Sequence, residues 1–229
     1  MPHGGRPGCH GARSGGAVEA GSPAGHIVKT SAILLAAGQS TRAGTLKPLL
    51  PWFGATLVER QEEALLRAGV SEAFVVTGHR AEEVRARIRG GRVHPVFNPR
   101  YREGRSTSVK GGRTAVPPDT QAILFLAVDQ PRPAGLIRRV LEAHREKTAL
   151  ITCPSHGRRG GHPIVFDASL LEELKAISGE REGVGAVLRA HADRINWVEL
   201  DTPLARLDLN TPEAYRDACA TFPDPRLEP

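Results

Sequence analysis

One stretch of the chain carries the residue types that bind phosphate, and it directly follows an apolar run. Residues 32–35 are apolar, and residues 36–38 are small enough for successive backbone N–H groups to approach an anion. Arg42 and Lys47 follow, and they can grip phosphate oxygens through a planar guanidinium and a mobile ammonium. This order predicts a strand that ends in a cradle for a nucleoside triphosphate. An ordinary turn with solvated basic residues is the alternative.

Two well-known phosphate motifs do not fit this stretch. Pro48 follows Lys47, so the G-x-x-x-x-G-K-[ST] pattern of P-loop kinases is not formed. The G-x-G-x-x-G pattern of dinucleotide dehydrogenases does not follow the apolar run either. Both classes of protein therefore lose support.

Candidate metal ligands stand at two other places in the chain. Asp129 directly follows the apolar residues 122–128, where a carboxylate could hold Mg²⁺ together with phosphate oxygens and water. An aspartate before Pro131 could equally form a turn. Asp208 and Asn210 are two residues apart, so an extended backbone would point both to one side.

Apolar runs and helix-like segments alternate along the chain, which predicts an α/β fold with a single, doubly wound, mostly parallel sheet covered by helices on both faces. The predicted strands are 32–36, 73–77, 93–97, 122–128, 149–152, 163–166 and 195–200. The predicted helices are 57–68, 81–89, 106–115, 135–146, 168–177, 185–190 and 212–220. Ligands of such a sheet bind beyond the carboxyl ends of its strands, where the phosphate cradle is expected.

Composition separates the ends of the chain from its middle. Residues 1–26 are rich in Gly, Ser, Pro and Ala without a hydrophobic period, which predicts a disordered tail. Residues 27–222 are expected to form one nucleotide-binding domain, and residues 223–229 a C-terminal tail.

Charge and cysteine content narrow the class of protein. The net charge of +6 suits polyanionic ligands, but aromatic residues are only 4% of the chain, so a stacking surface for nucleic acid is not expected. The cysteines Cys9, Cys153 and Cys219 are far apart and form no C-x-x-C pair, which indicates a reducing, cytoplasmic setting. No apolar run approaches the roughly 20 residues that span a bilayer, so no membrane association is expected.

The phosphate-cradle stretch resembles the opening signature of the MobA-like NTP transferases, close to LAAGxSxRMGxxKxLL, with Ala43 in place of the usual Met. The matching residues are Leu35, Ala36, Ala37, Gly38, Ser40, Arg42, Gly44, Lys47, Leu49 and Leu50. The resemblance extends to Asp129-Gln130-Pro131, like the family's D-x-P metal motif, and to Asp208-Leu209-Asn210, which mixes its two C-terminal forms. It implies Asp129 as the principal metal ligand and Asp208 or Asn210 as the second.

The resemblance also implies residues that contact the substrates. Further nucleotide-binding residues would be Thr77, Gly78, Asn98, Ser106 and Ser108. The two serines could instead cap a helix, and Gly78 could be an ordinary turn. The segment Arg158 to Pro163 resembles the family's G-x-R-G-H-P, which faces the pterin substrate, so Arg159, Gly161 and His162 are the implied acceptor-binding residues.

The activity implied by the resemblance is nucleotidyl transfer. A phosphate monoester on a molybdopterin-type acceptor would attack the α-phosphorus of CTP, with Arg42, Lys47 and Asp129 as catalytic residues and Mg²⁺, or alternatively Mn²⁺, as the metal. CTP is implied by Ala37, since LAAG forms of the family go with CTP. A molybdoenzyme is a further candidate partner. The alternatives are an enzyme of the same fold that acts on a phosphosugar or another anionic acceptor, and a non-catalytic cofactor-binding partner of a molybdoenzyme.

Overall fold

The computed structural model describes residues 28–39, 46–147, 149–176 and 184–224. The predicted N-terminal tail, Ser40 and Arg42 lie outside these residues, so those predictions stay untested.

The predicted alternation of strands and helices is present. The strands are β1 (Thr30–Leu35), β2 (Pro51–Trp52), β3 (Ala55–Thr56), β4 (Glu72–Thr77), β5 (Val93–Phe97), β6 (Ala122–Ala127), β7 (Ile151–His156), β8 (Arg159–Gly160), β9 (Ile164–Asp167) and β10 (Ile195–Glu199). The α-helices are α1 (Leu57–Arg67), α2 (Ala81–Arg85), α3 (Arg105–Ala115), α4 (Ala134–Lys147), α5 (Leu171–Ala176), α6 (Gly185–Ala190) and α7 (Pro212–Thr221).

The main sheet is mixed but mostly parallel. Its strand order is β10-β7-β9-β6-β1-β4-β5, and β8 pairs with β7. The strands β5, β4, β1 and β6 run parallel to one another, and β7 runs parallel to β10. Only β9 and β8 are antiparallel to their neighbours. The carboxyl ends of β1, β4, β5, β6, β7 and β10 therefore lie at the same edge of the sheet, as the predicted fold class requires.

Helices cover both faces of this sheet because its central strands are apolar on both sides. On one face, Leu34 of β1 belongs to a buried cluster that includes Leu65 of α1 and Ile137 of α4. On the other face, Ile33 belongs to a second cluster with Val109 of α3 and Leu174 of α5. The adjacent residues Ile33 and Leu34 thus belong to different layers, which is what doubly wound sheets show.

A glycine sets the close approach of α3 to the sheet. A Cβ atom at Gly112 would lie 2.5 Å from Cγ2 of Ile33 and 2.8 Å from Cγ2 of Val76. Helix α3 can therefore pack against β1 and β4 at a distance that a larger residue would not allow. Its first turns consequently lie beside the loop that follows β1.

The differences from the predicted elements are local. The hairpin of β2 and β3 and the short strand β8 were not predicted, because strands of two residues have no measurable hydrophobic period. The predicted helix 168–177 is a 3-10 turn, Ala168–Leu170, followed by α5. Helix α2 is shorter than predicted. Among the described residues, no helix has the length and apolar character that crossing a membrane requires.

Candidate active site

The loop after β1 forms one wall of a cavity of about 350 Å³ at the carboxyl edge of the sheet. The predicted residues that line this cavity are Leu35, Ala36, Ala37, Gly38, Lys47, Ser108 and Asp129. The backbone N–H of Ala36 donates to the carbonyl of Val76 at 2.9 Å, so that amide is used within the sheet. The amides after Ala36 are therefore the candidates for binding an anion.

Three predicted residues from distant parts of the chain meet at one end of the cavity. Nζ of Lys47 lies 2.7 Å from Oδ2 of Asp129 and 3.0 Å from Oδ1 of Asn210. Lys47 begins a 3-10 turn, Asp129 follows β6, and Asn210 precedes α7. The Lys47 and Asp129 side chains are only 13% and 18% exposed, so their charges interact with limited screening by water. The structure thus places a cation and its anion side by side at the predicted site.

Asp208 lies beside this pair. The backbone N–H of Leu209 donates to the carbonyl of Asp129 at 2.8 Å, which ties the segment 207–210 to the end of β6. Burial and the neighbouring charge of Asp129 raise the pKa of the Asp208 carboxyl, while hydrogen bonds with Gln130 and Asn210 and the charge of Lys47 act in the opposite direction. A second cation near these two carboxylates would relieve their repulsion.

The oxygen atoms of Asp129, Asp208 and Asn210 suit a hard cation that takes only part of its coordination shell from the protein. Oδ1 of Asp208 is buried and has no hydrogen-bond partner among the residues that the structure describes. The same part of the chain contains no group of three or more His, Cys, Asp or Glu side chains that could hold a metal by itself. Two carboxylates and one amide oxygen suit Mg²⁺, which usually completes its shell with phosphate oxygens and water.

Several lining residues of the cavity were not predicted from the sequence. They are Pro48, Tyr101, Arg102, Arg105, Ala127 and Val128. Arg105 is the first residue of α3, and in the described part of the chain no hydrogen bond or ion pair of its side chain is found. Arginines on both sides of Gly104 are a signal for anion binding that could have been read from the sequence.

Thr77 and Gly78, predicted nucleotide-binding residues, are not among the residues that line the cavity. Thr77 is 2% exposed, and its Oγ1 donates to the carbonyl of Val96 at 3.4 Å. A Cβ atom at Gly78 would lie 2.6 Å from Cβ of Tyr101 and 2.8 Å from the carbonyl oxygen of Ala37. Gly78 therefore allows the loop after β1 and the Tyr101 segment to pack closely around the cavity.

The predicted residues Asn98, Ser106 and Ser108 are divided between two places. Only Ser108 lines the cavity described above, whereas Asn98 and Ser106 line a separate cavity of about 390 Å³. Nδ2 of Asn98 donates to Oγ1 of Thr107 at 2.9 Å and to Oγ of Ser108 at 3.0 Å, so Asn98 organises the start of α3. Because α3 begins at Arg105 without a side-chain cap, neither serine is its N-cap residue.

The predicted acceptor-binding residues follow β7 in the segment 158–163, which we name the acceptor loop. Arg159 is exposed in β8. Gly161 is buried, and a Cβ atom there would lie 2.1 Å from the carbonyl oxygen of Ala205. Removal from water and the charges of Arg132 and Arg105 together lower the pKa of His162 to about 4, against the opposing charge of Asp129, so the imidazole is neutral at physiological pH. Arg105, whose charge acts on His162, lines the cavity, so His162 lies near it.

A buried arginine that was not predicted joins the acceptor loop to the Asp208 segment. Arg132 is 2% exposed, and its guanidinium donates to the carbonyls of His162, Leu207 and Ala205 at 2.9, 2.9 and 3.0 Å. Burial lowers the pKa of Arg132 to about 9, and the carboxylates of Asp208 and Asp129 act against that fall. No local sequence pattern marks this residue.

Two curated proteins resemble the chain over most of its length. Nicotine blue oxidoreductase of Paenarthrobacter nicotinovorans is 31% identical over 188 residues, which cover 79% of this chain and 92% of that protein. Molybdenum cofactor cytidylyltransferase of Escherichia coli (strain K12) is 30% identical over 185 residues, which cover 80% of this chain and 92% of that protein.

Solved structures share the fold. A nucleotidyl transferase from Methanothermobacter thermautotrophicus is 27% identical with a TM-score of 0.72, over 84% of this chain and 96% of that one. Rv0371c of Mycobacterium tuberculosis, solved in complex with manganese, has a TM-score of 0.69 at 23% identity, over 84% of this chain and 99% of that one. The second likeness concerns the fold alone.

A family model agrees with both the sequence resemblance and the geometry. The model of the MobA-like NTP transferase domain matches residues 32–195, which include the loop after β1, Lys47, Asp129 and the acceptor loop. The match covers well over half of the chain. The chain therefore belongs to the MobA-like NTP transferase family and is a nucleotidyltransferase.

Proposed function

We propose that this enzyme transfers CMP from CTP to the terminal phosphate of a molybdopterin-type acceptor and releases pyrophosphate. The observation that carries the proposal is the contact of Lys47 with Asp129 and Asn210 at the end of a cavity walled by the loop after β1. A cavity of about 350 Å³ with cationic and anionic groups at one end suits a nucleotide whose phosphates meet a metal.

The reaction needs charge stabilisation more than proton transfer. An oxygen of the acceptor phosphate forms a bond to the α-phosphorus, and the bond between that phosphorus and the α–β bridging oxygen breaks as pyrophosphate leaves. The attacking phosphate is already anionic, so no strong general base is required. The ammonium of Lys47 would stabilise the charge that develops on the α-phosphate, and the amides of the loop after β1 would bind the leaving pyrophosphate. Ser40 and Arg42, outside the described residues, remain proposed parts of this loop.

The metal of the proposal is Mg²⁺, with Mn²⁺ as an alternative. Asp129 and Asp208 would hold it, with Asn210 beside them, and the uncompensated Oδ1 of Asp208 supports that role. When bound there, a divalent ion would neutralise charge on the triphosphate. Asp129 is among the residues that line the cavity and Asp208 is not, and we therefore retain Asp129 as the principal ligand.

CTP is the proposed donor. The family resemblance associates the form Leu35-Ala36-Ala37-Gly38 with CTP, and Ala37 lines the cavity. The relative from Escherichia coli is itself a cytidylyltransferase. Both observations support cytosine over guanine.

The acceptor loop supports a molybdopterin-type acceptor. Its residues Arg159, Gly161 and His162 follow β7 at the same edge of the sheet as the cavity, and the charge of Arg105 acts on His162. An acceptor phosphate between this loop and the cavity would be close to the α-phosphate of the nucleotide. A molybdoenzyme that receives the product is a proposed partner.

The test is a transfer assay with the purified full chain, molybdopterin or its molybdenum form, Mg²⁺ and each labelled nucleoside triphosphate in turn. We expect a cytosine dinucleotide form of the acceptor by mass spectrometry and a clear preference for CTP over GTP. A preference for GTP would reject the cytidylyl assignment. Transfer to a sugar phosphate but not to molybdopterin would favour the phosphosugar alternative, and cofactor binding without transfer would favour a non-catalytic partner.

One relative requires a second arm of this experiment. The protein from Paenarthrobacter nicotinovorans is named as an oxidoreductase at nearly the same identity as the cytidylyltransferase. The same preparation is therefore mixed with nicotine blue and a reduced nicotinamide cofactor, and the dye absorbance is followed. Bleaching of the dye, without nucleotidyl transfer in the first arm, would assign this chain to the oxidoreductase function.

A further inference from the structure

Arg132 is linked to three separate segments at the active site. Nε donates to the carbonyl of His162 at 2.9 Å, and Nη2 donates to the carbonyl of Ala205 at 3.0 Å. Nη1 donates to the carbonyls of Pro131 at 2.8 Å and Leu207 at 2.9 Å. These carbonyls belong to the acceptor loop, to the segment that leads to Asp208, and to the loop that follows Asp129.

We propose that Arg132 is a positioning residue that fixes the acceptor loop relative to the metal-binding carboxylates Asp129 and Asp208. This inference rests on the proposed function, because it assigns the two groups that Arg132 holds together to the acceptor and to the metal. Arg132 is buried and is not among the residues that line the cavity, so we do not assign it as a substrate ligand. It acts through the backbone of its partners.

The chemistry of the guanidinium explains why arginine serves here. Its planar fork presents five N–H donors in fixed directions, so one side chain can satisfy carbonyls on several segments at once. A lysine ammonium has three donors on a single atom and cannot reproduce that spread. Because Arg132 is 2% exposed, water does not replace these hydrogen bonds when they are lost.

The charge of Arg132 also has opposite charges near it, on Asp208 and Asp129. Its hydrogen-bond acceptors are neutral carbonyls, and the carboxylates of Asp208 and Asp129 are the negative charges that favour its protonated form. The buried guanidinium and the two carboxylates therefore stabilise one another electrostatically. The position of the carboxylates and the position of the acceptor loop are consequently linked through one residue.

The nucleotide side of the site is built without Arg132. The cavity is lined by the loop after β1, by Lys47, by five residues of the segment 101–108 and by the end of β6, and Arg132 is not among its lining residues. Loss of Arg132 should therefore affect acceptor and metal more than CTP.

Substitution of Gly161 offers a second way to disturb the contact between the acceptor loop and the segment at Ala205. The N–H of His162 donates to the carbonyl of Ala205 at 2.9 Å, and a Cβ atom at Gly161 would lie 2.1 Å from that same carbonyl oxygen. The substitution Gly161→Ala would therefore push the acceptor loop away from Ala205, so that Arg132 could no longer bridge both.

The experiment compares Arg132→Lys, Arg132→Met and Gly161→Ala with two controls. Arg138→Met removes an exposed guanidinium that donates to the carbonyl of Arg67 at 3.0 Å, and Gly135→Ala adds a methyl group in open space. At saturating metal, each Arg132 variant should raise the KM for the acceptor about tenfold or more and change the KM for CTP less than about twofold. Arg132→Lys should not restore the acceptor KM, since charge alone cannot replace the fork.

Two further readouts do not depend on turnover. Binding of Mn²⁺ to the protein alone, followed by electron paramagnetic resonance, should be weaker in all three test variants than in the controls. Hydrogen exchange at the amides of His162 and Leu209 should be faster in these variants, while exchange in β1 stays unchanged. If the natural protein transfers no nucleotide, the proposed function fails, and these two measurements still decide whether Arg132 links the two segments.

The proposal is overturned by any of three results. One is that Arg132→Lys retains the natural acceptor KM and Mn²⁺ affinity. Another is that the KM values for acceptor and CTP rise by the same factor, which would indicate general disruption of the site. If neither Arg132 variant folds, the proposal is tested by Gly161→Ala alone. A natural acceptor KM, Mn²⁺ affinity and hydrogen exchange in that variant would reject the role of Arg132 in positioning the acceptor loop.

Discussion

Nζ of Lys47 lies 2.7 Å from Oδ2 of Asp129, although 82 residues separate the two along the chain. Lys47 follows the loop after β1, and Asp129 follows β6, which pairs directly with β1. The pairing of adjacent parallel strands therefore brings a candidate phosphate ligand and a candidate metal ligand into contact. A divalent cation bound to Asp129 would compete with the Lys47 ammonium, which could then contact phosphate oxygens instead.

Replacement of Lys47 tests its electrostatic role. Lys47→Ala should lower turnover by on the order of 100-fold or more, because one charge that stabilises the transition state is lost. The affinity for CTP should fall much less. Lys29→Ala is the matched control. Nζ of Lys29 lies 2.8 Å from Oδ1 of Asp119, and neither residue lines the cavity. Unchanged turnover in Lys47→Ala would show that its charge takes no part in the reaction.

Paired variants distinguish the roles of the Asp129 and Asp208 carboxylates in metal binding. Asp129→Asn should stay folded and lose almost all transfer activity, since it removes the charge that balances Mg²⁺, and part of the activity should return with Mn²⁺. Asp208→Asn should be milder, because Asn210 and water can substitute in part. The rates of both variants are measured with each metal, with Asp119→Asn as the control.

Two outcomes of that comparison contradict the assignment. An active Asp129→Asn beside an inactive Asp208→Asn would make Asp208 the principal ligand. Full activity in both variants would reject the metal site.

Gly78 is predicted to matter for nucleotide binding through packing. In Gly78→Ala the new Cβ would lie 2.8 Å from the carbonyl oxygen of Ala37, so the loop after β1 must move. We expect the dissociation constant for CTP, measured by calorimetry, to rise about tenfold, which corresponds to roughly 1.4 kcal/mol. Gly135→Ala, with no atom within 4 Å of the new Cβ, should bind CTP as the natural protein does. If Gly78→Ala binds CTP as tightly as the natural protein, the loop after β1 accommodates the added methyl group without loss of CTP affinity.

The buried carboxyl of Glu62 on α1 predicts a pH-dependent stability. Burial raises the pKa of Glu62 from 4.5 to about 7 in the folded protein. Below about pH 4.5 the carboxyl is protonated in both states, and its contribution to stability is fully present. As the pH rises through 4.5 to 7, the unfolded chain releases the proton first, so the stability contribution is lost.

Glu62→Gln should therefore raise the melting temperature at pH 8 but not at pH 4. The expected gain is on the order of 2 kcal/mol, or roughly 5 °C, as measured by thermal unfolding at both values of pH. Glu82→Gln, at an exposed position of α2, should change neither melting temperature. An equal rise in the melting temperature of the Glu62→Gln protein at pH 4 and pH 8 would contradict the predicted titration of Glu62.

Much of the architecture was predictable because it follows from local patterns. The apolar run 122–128 predicted a strand buried on both faces, and residues 122–127 form β6. Thr211 and Pro212 begin α7 as their residue types favour, with Oγ1 of Thr211 accepting from the N–H of Ala214. The small residues after β1 were predicted as site residues for the same reason, whereas the choice of Asp129 as a metal ligand over a turn residue came from the family resemblance.

The contacts that complete the site were decided by the tertiary structure. The family resemblance implied that Thr77 contacts the nucleotide, and only the structure showed that its side chain is 2% exposed and donates to the carbonyl of Val96. Asn98 binds the start of α3 instead of lining the cavity, because the turn before that helix surrounds it. Arg132 is not part of a recognisable sequence motif. It binds carbonyls of both the acceptor loop and residues 205–207 because the tertiary structure brings these two segments together.

The sequence by itself determined the longer strands, the doubly wound arrangement of layers and the residues that follow those strands, since backbone propensity and hydrophobic period are local properties. It did not determine which side chains meet. Lys47 and Asn210 are 163 residues apart, and their contact at 3.0 Å depends on the strand order and on the hydrogen bond of Leu209 to Asp129. Such contacts arise only when packing brings distant segments together, because no local property of either segment encodes the distance between them.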